Sequence, residues 1–249
     1  MSVRTPNTAV KVYYTDLSPL TDPSYLDRCF AILDDQEKQR FELLALENNQ
    51  KEFLVGHALV RWTLSCLTHV PPQDWHYQQG EQGKPEIHAP ADYKALKFNL
   101  SHTDGMVVCA INWNNRIGID VENEISRTGK TAGLAQKFFT QDEVTRLNAL
   151  PLSARRHRFF QLWTLKESFI KALGAGMSIP LNQFSFHWDE RGLIQARFDS
   201  ALDEELSQWE FHQWQLTDHH IMAVSFECPG AEEKKIQLQA VTPLESAAI

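Results

Sequence analysis

The 249-residue sequence has no apolar run long enough to cross a bilayer. Its most hydrophobic segment, Met106 to Trp113, is far shorter than the roughly 20 residues a membrane-spanning helix needs. The start lacks a basic stretch followed by an apolar one, so no secretory leader is expected. Cysteine is scarce: Cys29, Cys66, Cys109 and Cys228 form no CxxC pair and stand apart from other candidate ligands. That speaks against a disulfide framework or a thiolate metal centre and fits reduced, buried thiols in a cytoplasmic protein. Positive charge is in deficit, with 24 Lys and Arg against 32 Asp and Glu and a net charge of −8. Such a balance argues against non-specific binding to nucleic acid or an anionic membrane. Low-complexity tracts and short repeats are missing too. What remains, 43% hydrophobic and 22% charged residues, supports one large domain or two modest ones.

Hydrophobic periodicity predicts an α+β chain with two similar halves, 1–114 and 115–249, each a mainly antiparallel sheet packed on helices. In the first half, strands are expected at 9–14, 75–77, 85–88, 95–100 and 106–112, with a tight turn over 102–105. A helical region spans 34–67, broken near 47–50. In the second half, a strand at 117–122 precedes helices. Thr140 followed by Glu143 is a capping-box pattern. Ser153 can cap a longer helix stopped by Gly174. Strands return at 184–188, 193–198, 209–216 and 221–226, and the stretch after Pro229 reads as fraying toward its end.

Charge is unevenly placed. From Ile125 to Arg158 the chain carries a net +5, leaving −13 elsewhere. The segment reads either as a solvated helix face or as a docking surface.

Four motifs carry candidate chemistry. In Gly118-Ile119-Asp120-Val121-Glu122, two carboxylates at i and i+2 point to one side of an otherwise apolar strand. They are either solvated at a sheet end or held by a hard cation such as magnesium. Glu167 and Lys171 stand one turn apart on the helix WTLKESFIKALG. They form either a helix-stabilising surface pair or a metal carboxylate beside a phosphate-binding lysine. In Phe98-Asn99-Leu100-Ser101-His102-Thr103, Ser101 and His102 suit a nucleophile and base, a hydroxyl-bonded turn or an anion site. Gly83-Lys84-Pro85 is a turn whose lysine is solvated or faces a phosphate. Lys38, Arg40 and Lys51 add basic groups on the first helical region.

Taken in order, GKP, FNLSHT, GIDVE and WTLKESFIKALGAG resemble the longer, monomeric class of 4′-phosphopantetheinyl transferases, from about Glu37 through Phe186. The resemblance implies two pseudosymmetric α/β halves with the active site at their junction. The first half would take the 3′-phosphate and adenine side of coenzyme A, and the second the metal site and carrier-protein docking. It implies magnesium, with manganese as a possible substitute, bound by Asp120, Glu122 and Glu167. By the same correspondence, Gly83, Lys84 and Pro85 flank the adenine, Ser101 and His102 reach the 3′-phosphate, and Lys171 reaches the pyrophosphate. Glu167 also becomes the base for the acceptor serine of an apo acyl or peptidyl carrier protein. Many members carry a 3′-phosphate-binding arginine near the position of Gln50-Lys51-Glu52; here Lys51, Lys38 and Arg40 are left to take that part. The competing readings are a metal-dependent phosphoesterase, which would hydrolyse without a carrier, and a non-catalytic module that binds coenzyme A or a carrier.

Overall fold

In Met106–Trp113 the apolar residues are nearly continuous and the strand is buried on both faces, whereas Ile236–Ala240, where they alternate, lies at the edge of its sheet. The computed structural model describes residues 9–80, 83–126, 131–174, 176–202, 204–230 and 234–245, with the Met177 side chain left out. Its elements run β1 (Val10–Asp16), α1 (Pro23–Ala31), α2 (Asp35–Glu42), α3 (Glu47–Thr68), β2 (His76–Gln79), β3 (Pro85–Ala89), β4 (Leu96–Thr103) and β5 (Met106–Trp113). They continue with β6 (Ile117–Asn123), α4 (Thr131–Phe138), α5 (Gln141–Ala149), α6 (Leu152–Leu173), β7 (Phe184–Trp188), β8 (Ile194–Phe198), β9 (Trp209–Gln215), β10 (His220–Glu227) and β11 (Ile236–Ala240).

The chain divides into two compact units, Met1–Asn115 with Glu233–Ile249, and Arg116–Glu232. This differs from a second half running 115–249. β11 pairs in parallel with β1, Val10 opposite Ile236, and returns the C-terminal segment to the first unit. The alternating pattern of IQLQA marks one face of a strand but carries no information about a partner more than two hundred residues earlier. Helices α1 and α4 were also not foreseen. Asp22, whose side chain accepts from Ser24 N, and Pro23 at the first helical position start α1. The strand β4 runs on through Thr103, so the anticipated turn contracts to Asp104-Gly105.

In the first unit the sheet order is β11-β1-β5-β4. Leu54, Ala58 and Leu59 of α3 join Tyr13, Phe98 and Cys109 in its core. Arg61, fully buried on α3, donates to Glu37 Oε2 at 2.9 Å and to the carbonyls of Pro72 and Trp75 at 3.0 and 2.8 Å. Glu37 also accepts from His57 and closes a capping box with Asp34. One buried ion pair thus ties α2, α3 and the approach to β2 together.

In the second unit α6 lies against the sheet β6-β10-β9. Phe169 on α6 meets Phe184, Phe198, Trp209 and Phe211 at 4.9 to 5.6 Å between ring centres. The anticipated capping box of Thr140 and Glu143 is present, and Gly174 ends α6 at φ 71°. Helix α6 starts at Leu152 behind Pro151, not at a Ser153 cap. Lys166, fully buried, lies 2.9 Å from Glu143 and donates to the carbonyls of Leu181 and Phe184. Burial pushes its ammonium down to about 8 against the opposing pull of Glu143.

Burial alone would raise the Glu37 carboxyl, but the His57 hydrogen bond, the charges of His57 and Arg61 and the Arg61 hydrogen bond hold it down at about 2, against an ordinary 4.5. The unfolded chain therefore takes up this proton first as pH falls. The stabilisation, about 3 kcal/mol, is complete above pH ~4.5 and lost as pH drops toward ~2. Urea unfolding at pH 6 and pH 3 should show wild type losing more stability over this interval than Glu37→Gln does; equal losses would mean that the pair contributes no proton linkage.

Candidate active site

Strand β6 is buried along its whole length, including its two carboxylates. Gly118, Asp120 and Glu122 share one side of it, and α6 covers that side. A Cβ on Gly118 would stand 2.0 Å from the Ser168 carbonyl oxygen and 2.3 Å from the Ala172 nitrogen, so the helix backbone rests directly on the glycine. Next to this contact, Lys171 Nζ donates to Asp120 Oδ1 at 2.7 Å. At the other end of the strand, His157 Nδ1 lies 2.9 Å from Glu124 Oε1, and Arg156 Nε donates to the Glu124 carbonyl at 2.6 Å. Helix and strand are therefore antiparallel, and Glu167 lies on α6 between the two anchor points. Half-buried, it follows Trp163 by one turn, and Trp163 packs on Phe138 and Phe159 at 5.8 and 5.7 Å.

The side chains do not display the expected three carboxylates around one ion: among the described residues, no group of three or more His, Cys, Asp or Glu is gathered tightly enough to hold a metal. The cation beside Asp120 is Lys171. The donor chemistry nonetheless suits magnesium, which is commonly held by one or two carboxylates with water and phosphate oxygens completing its shell. Asp120, Glu122, Glu167 and Lys171 together carry a net −2, the charge one divalent cation neutralises.

The other expected site residues belong to the first unit. Gly83 adopts φ +86° in a turn where Gly80 N donates to the Lys84 carbonyl, and Pro85 opens β3 opposite Gln79. Ser101 is buried, and His102 is exposed at the end of β4. Lys38 packs over the Phe30 ring at 5.6 Å, Arg40 is exposed and Lys51 is half-buried. The residue of α3 that reaches the Ser101-His102 motif is Glu52, whose Oε2 lies 2.9 Å from His102 Nδ1. Sequence reasoning passed over it, because a Glu on a polar-rich helix turn has no signature of its own. Gly118 was noted there only as part of an apolar strand.

In the basic segment, residues 127–130, and with them Arg127 and Lys130, lie outside the described residues. Arg155 donates to the carbonyls of Leu150 and Asn148, so it secures the end of α5. Arg156 holds Glu124 and stacks over Phe160. Reversing these two charges would therefore disturb local structure as well as any docking.

Gly118→Ala should destabilise the second unit by at least about 3 kcal/mol, since the added methyl meets backbone that cannot rotate aside. Denaturant titration of the purified variant measures this; wild-type stability would mean that α6 does not rest on the strand.

Comparisons with known proteins bear on both units. The family model described as the 4′-phosphopantetheinyl transferase superfamily matches residues 116–225, and the model of the 4′-phosphopantetheinyl transferase N-terminal domain matches residues 21–114. The 4′-phosphopantetheinyl transferase gsp of Aneurinibacillus migulanus is 38% identical over 143 residues, 57% of this chain and 55% of that protein. The chain thus matches about half the length of that relative. The 4′-phosphopantetheinyl transferase HetI of a Nostoc species is 32% identical over 161 residues, 64% of this chain and 68% of the relative. Among solved structures, the holo-[acyl-carrier-protein] synthase of Thermotoga maritima aligns with a TM-score of 0.37 at 19% identity, covering 45% of this chain and 62% of the other.

Proposed function

This chain belongs to the 4′-phosphopantetheinyl transferase superfamily, and we propose that it transfers the 4′-phosphopantetheine group of coenzyme A to a serine of an apo carrier protein, with release of 3′,5′-ADP. The observation that carries the reading is the seating of α6 on Gly118, which brings Lys171 to Asp120 on the acidic side of β6. A helix ammonium against a pair of strand carboxylates suits the binding of a diphosphate and a divalent cation.

In this reading Asp120, Glu122 and Glu167 would hold magnesium, or manganese in its place, and the ion would supply positive charge for the pyrophosphate. Lys171 neutralises the same group from the helix side. The serine oxygen bonds to the β-phosphorus as the bond from that phosphorus to the bridging oxygen of 3′,5′-ADP breaks. Glu167 takes the serine proton on a carboxylate oxygen, directly or through water. In the first unit, Lys84 and Pro85 serve the adenine end, and Ser101 and His102 the 3′-phosphate. Lys38, Arg40 and Lys51 add positive charge there.

The carrier would meet the basic segment of the second unit, where Ile125 and Leu152 are exposed among the positive residues. That mixture suits an acidic, apolar helix. We take the protein to act as a monomer in the cytoplasm. None of the four cysteines is in a disulfide, and burial raises the Cys29 and Cys109 thiols to about 11 and 12, which suits a protein that keeps its thiols unreactive.

Incubation with a purified apo-carrier, coenzyme A and magnesium should add one phosphopantetheine to the carrier's intact mass, and EDTA should abolish the gain. Hydrolysis of coenzyme A without a carrier would instead favour a phosphoesterase. Asp120→Ala should lower transfer at least about 100-fold with the fold retained by circular dichroism. Robust turnover by that variant would remove Asp120 from the metal and diphosphate site.

A further inference from the structure

Helix α3 lies close to β4 at Gly56, where a Cβ would stand 3.4 Å from the Leu100 side chain. One turn earlier on the helix and two residues later on the strand, Glu52 meets His102 at 2.9 Å. The carboxylate side chain is only 10% exposed, while the imidazole is 54% exposed. On β5, Val107 stands opposite His102, so that neighbouring strand offers the ring no charge. A carboxylate withdrawn from water needs a donor, and the Nδ1–H of His102 supplies one. With Nδ1 engaged, Nε2 across the ring is left for a ligand, and in the imidazolium form it donates to a phosphate oxygen.

A carboxylate cannot itself bind phosphate, so any contribution from Glu52 to an anion site must pass through the imidazole. We propose that Glu52 is a positioning residue that sets selectivity for a donor bearing a ribose phosphate monoester, by fixing the orientation of His102 so that Nε2 faces the phosphate. The chain thereby recognises that phosphate through a carboxylate–imidazole pair, where a direct cation from α3 would be the simpler device. This rests on the reading of His102 as part of the coenzyme A site.

Calorimetric titration with 3′,5′-ADP and with ADP, which lacks the 3′-phosphate, separates this role from a structural one. Glu52→Gln should weaken 3′,5′-ADP binding about tenfold and ADP binding less than about twofold. Glu52→Asp should recover part of the loss. His102→Asn should reproduce it, and adding Glu52→Gln to His102→Asn should bring no further loss, the signature of one coupled unit. Equal weakening of both ligands, or additive losses in the double variant, would overturn the proposal. Because the readout is binding, the selective pattern supports it even in a protein that transfers nothing to a carrier, a result that would count against the transferase reading alone.

Discussion

The close seating of α6 on β6 at Gly118 is the constraint on which the second unit depends. No side chain larger than hydrogen fits at a position 2.0 Å from one backbone atom and 2.3 Å from another. The approach lets Ser168 Oγ reach Ser225 Oγ at 2.7 Å, on the strand residue paired with Gly118. It also decides what Asp120 and Glu122 can face. On a strand open to water they would be solvated; under a helix they need donors or cations. The glycine therefore links packing to chemistry: removing the gap between helix and strand turns two ordinary carboxylates into a concentrated negative site.

The first unit also lays a helix along a strand, without needing a glycine there: at Gly56 a Cβ would meet the Leu100 side chain at an ordinary 3.4 Å, and the preceding turn of α3 carries Glu52 to His102. Both candidate sites are thus built from a helix laid closely along a strand. A polar residue one step from the contact on each element meets its counterpart, and the rigid backbone, not a loop, sets their separation. Sites on regular elements hold their geometry better than sites on loops.

This construction explains what could be read beforehand. Strands β4, β5 and β6 were legible because their apolar runs and alternation are local, and the start of α5 at Thr140 and the stop of α6 at Gly174 were legible because caps are local chemistry. The i, i+2 spacing put Asp120 and Glu122 on one side without any knowledge of what covers them. The pairing of β11 with β1, by contrast, joins residues at opposite ends of the chain, and no local pattern encodes it. The same holds for Glu52, fifty residues from His102. Nor does any local pattern mark Lys166, adjacent to Glu167, as a fully buried anchor for Glu143 and two carbonyls.

Burial separates the ion pairs that build the scaffold from those that are available for chemistry. Arg61 with Glu37 and Lys166 with Glu143 are enclosed on both sides, every partner at most 6% exposed. Their remaining donors and acceptors are consumed by carbonyls and helix caps, so no ligand can reach them. Lys171 with Asp120 and His102 with Glu52 are asymmetric: the carboxylates are 7% and 10% exposed, the cationic or imidazole partners 29% and 54%. A withdrawn carboxylate holding an accessible donor group leaves that group oriented yet able to receive an anion. Asymmetry alone is insufficient, because Arg116, 38% exposed, spends its guanidinium on Glu204 and Glu227 while stacking over Trp209. His102 differs in that its ring carries a second nitrogen, across from the one that serves Glu52, and so keeps a hydrogen-bonding position beyond that carboxylate.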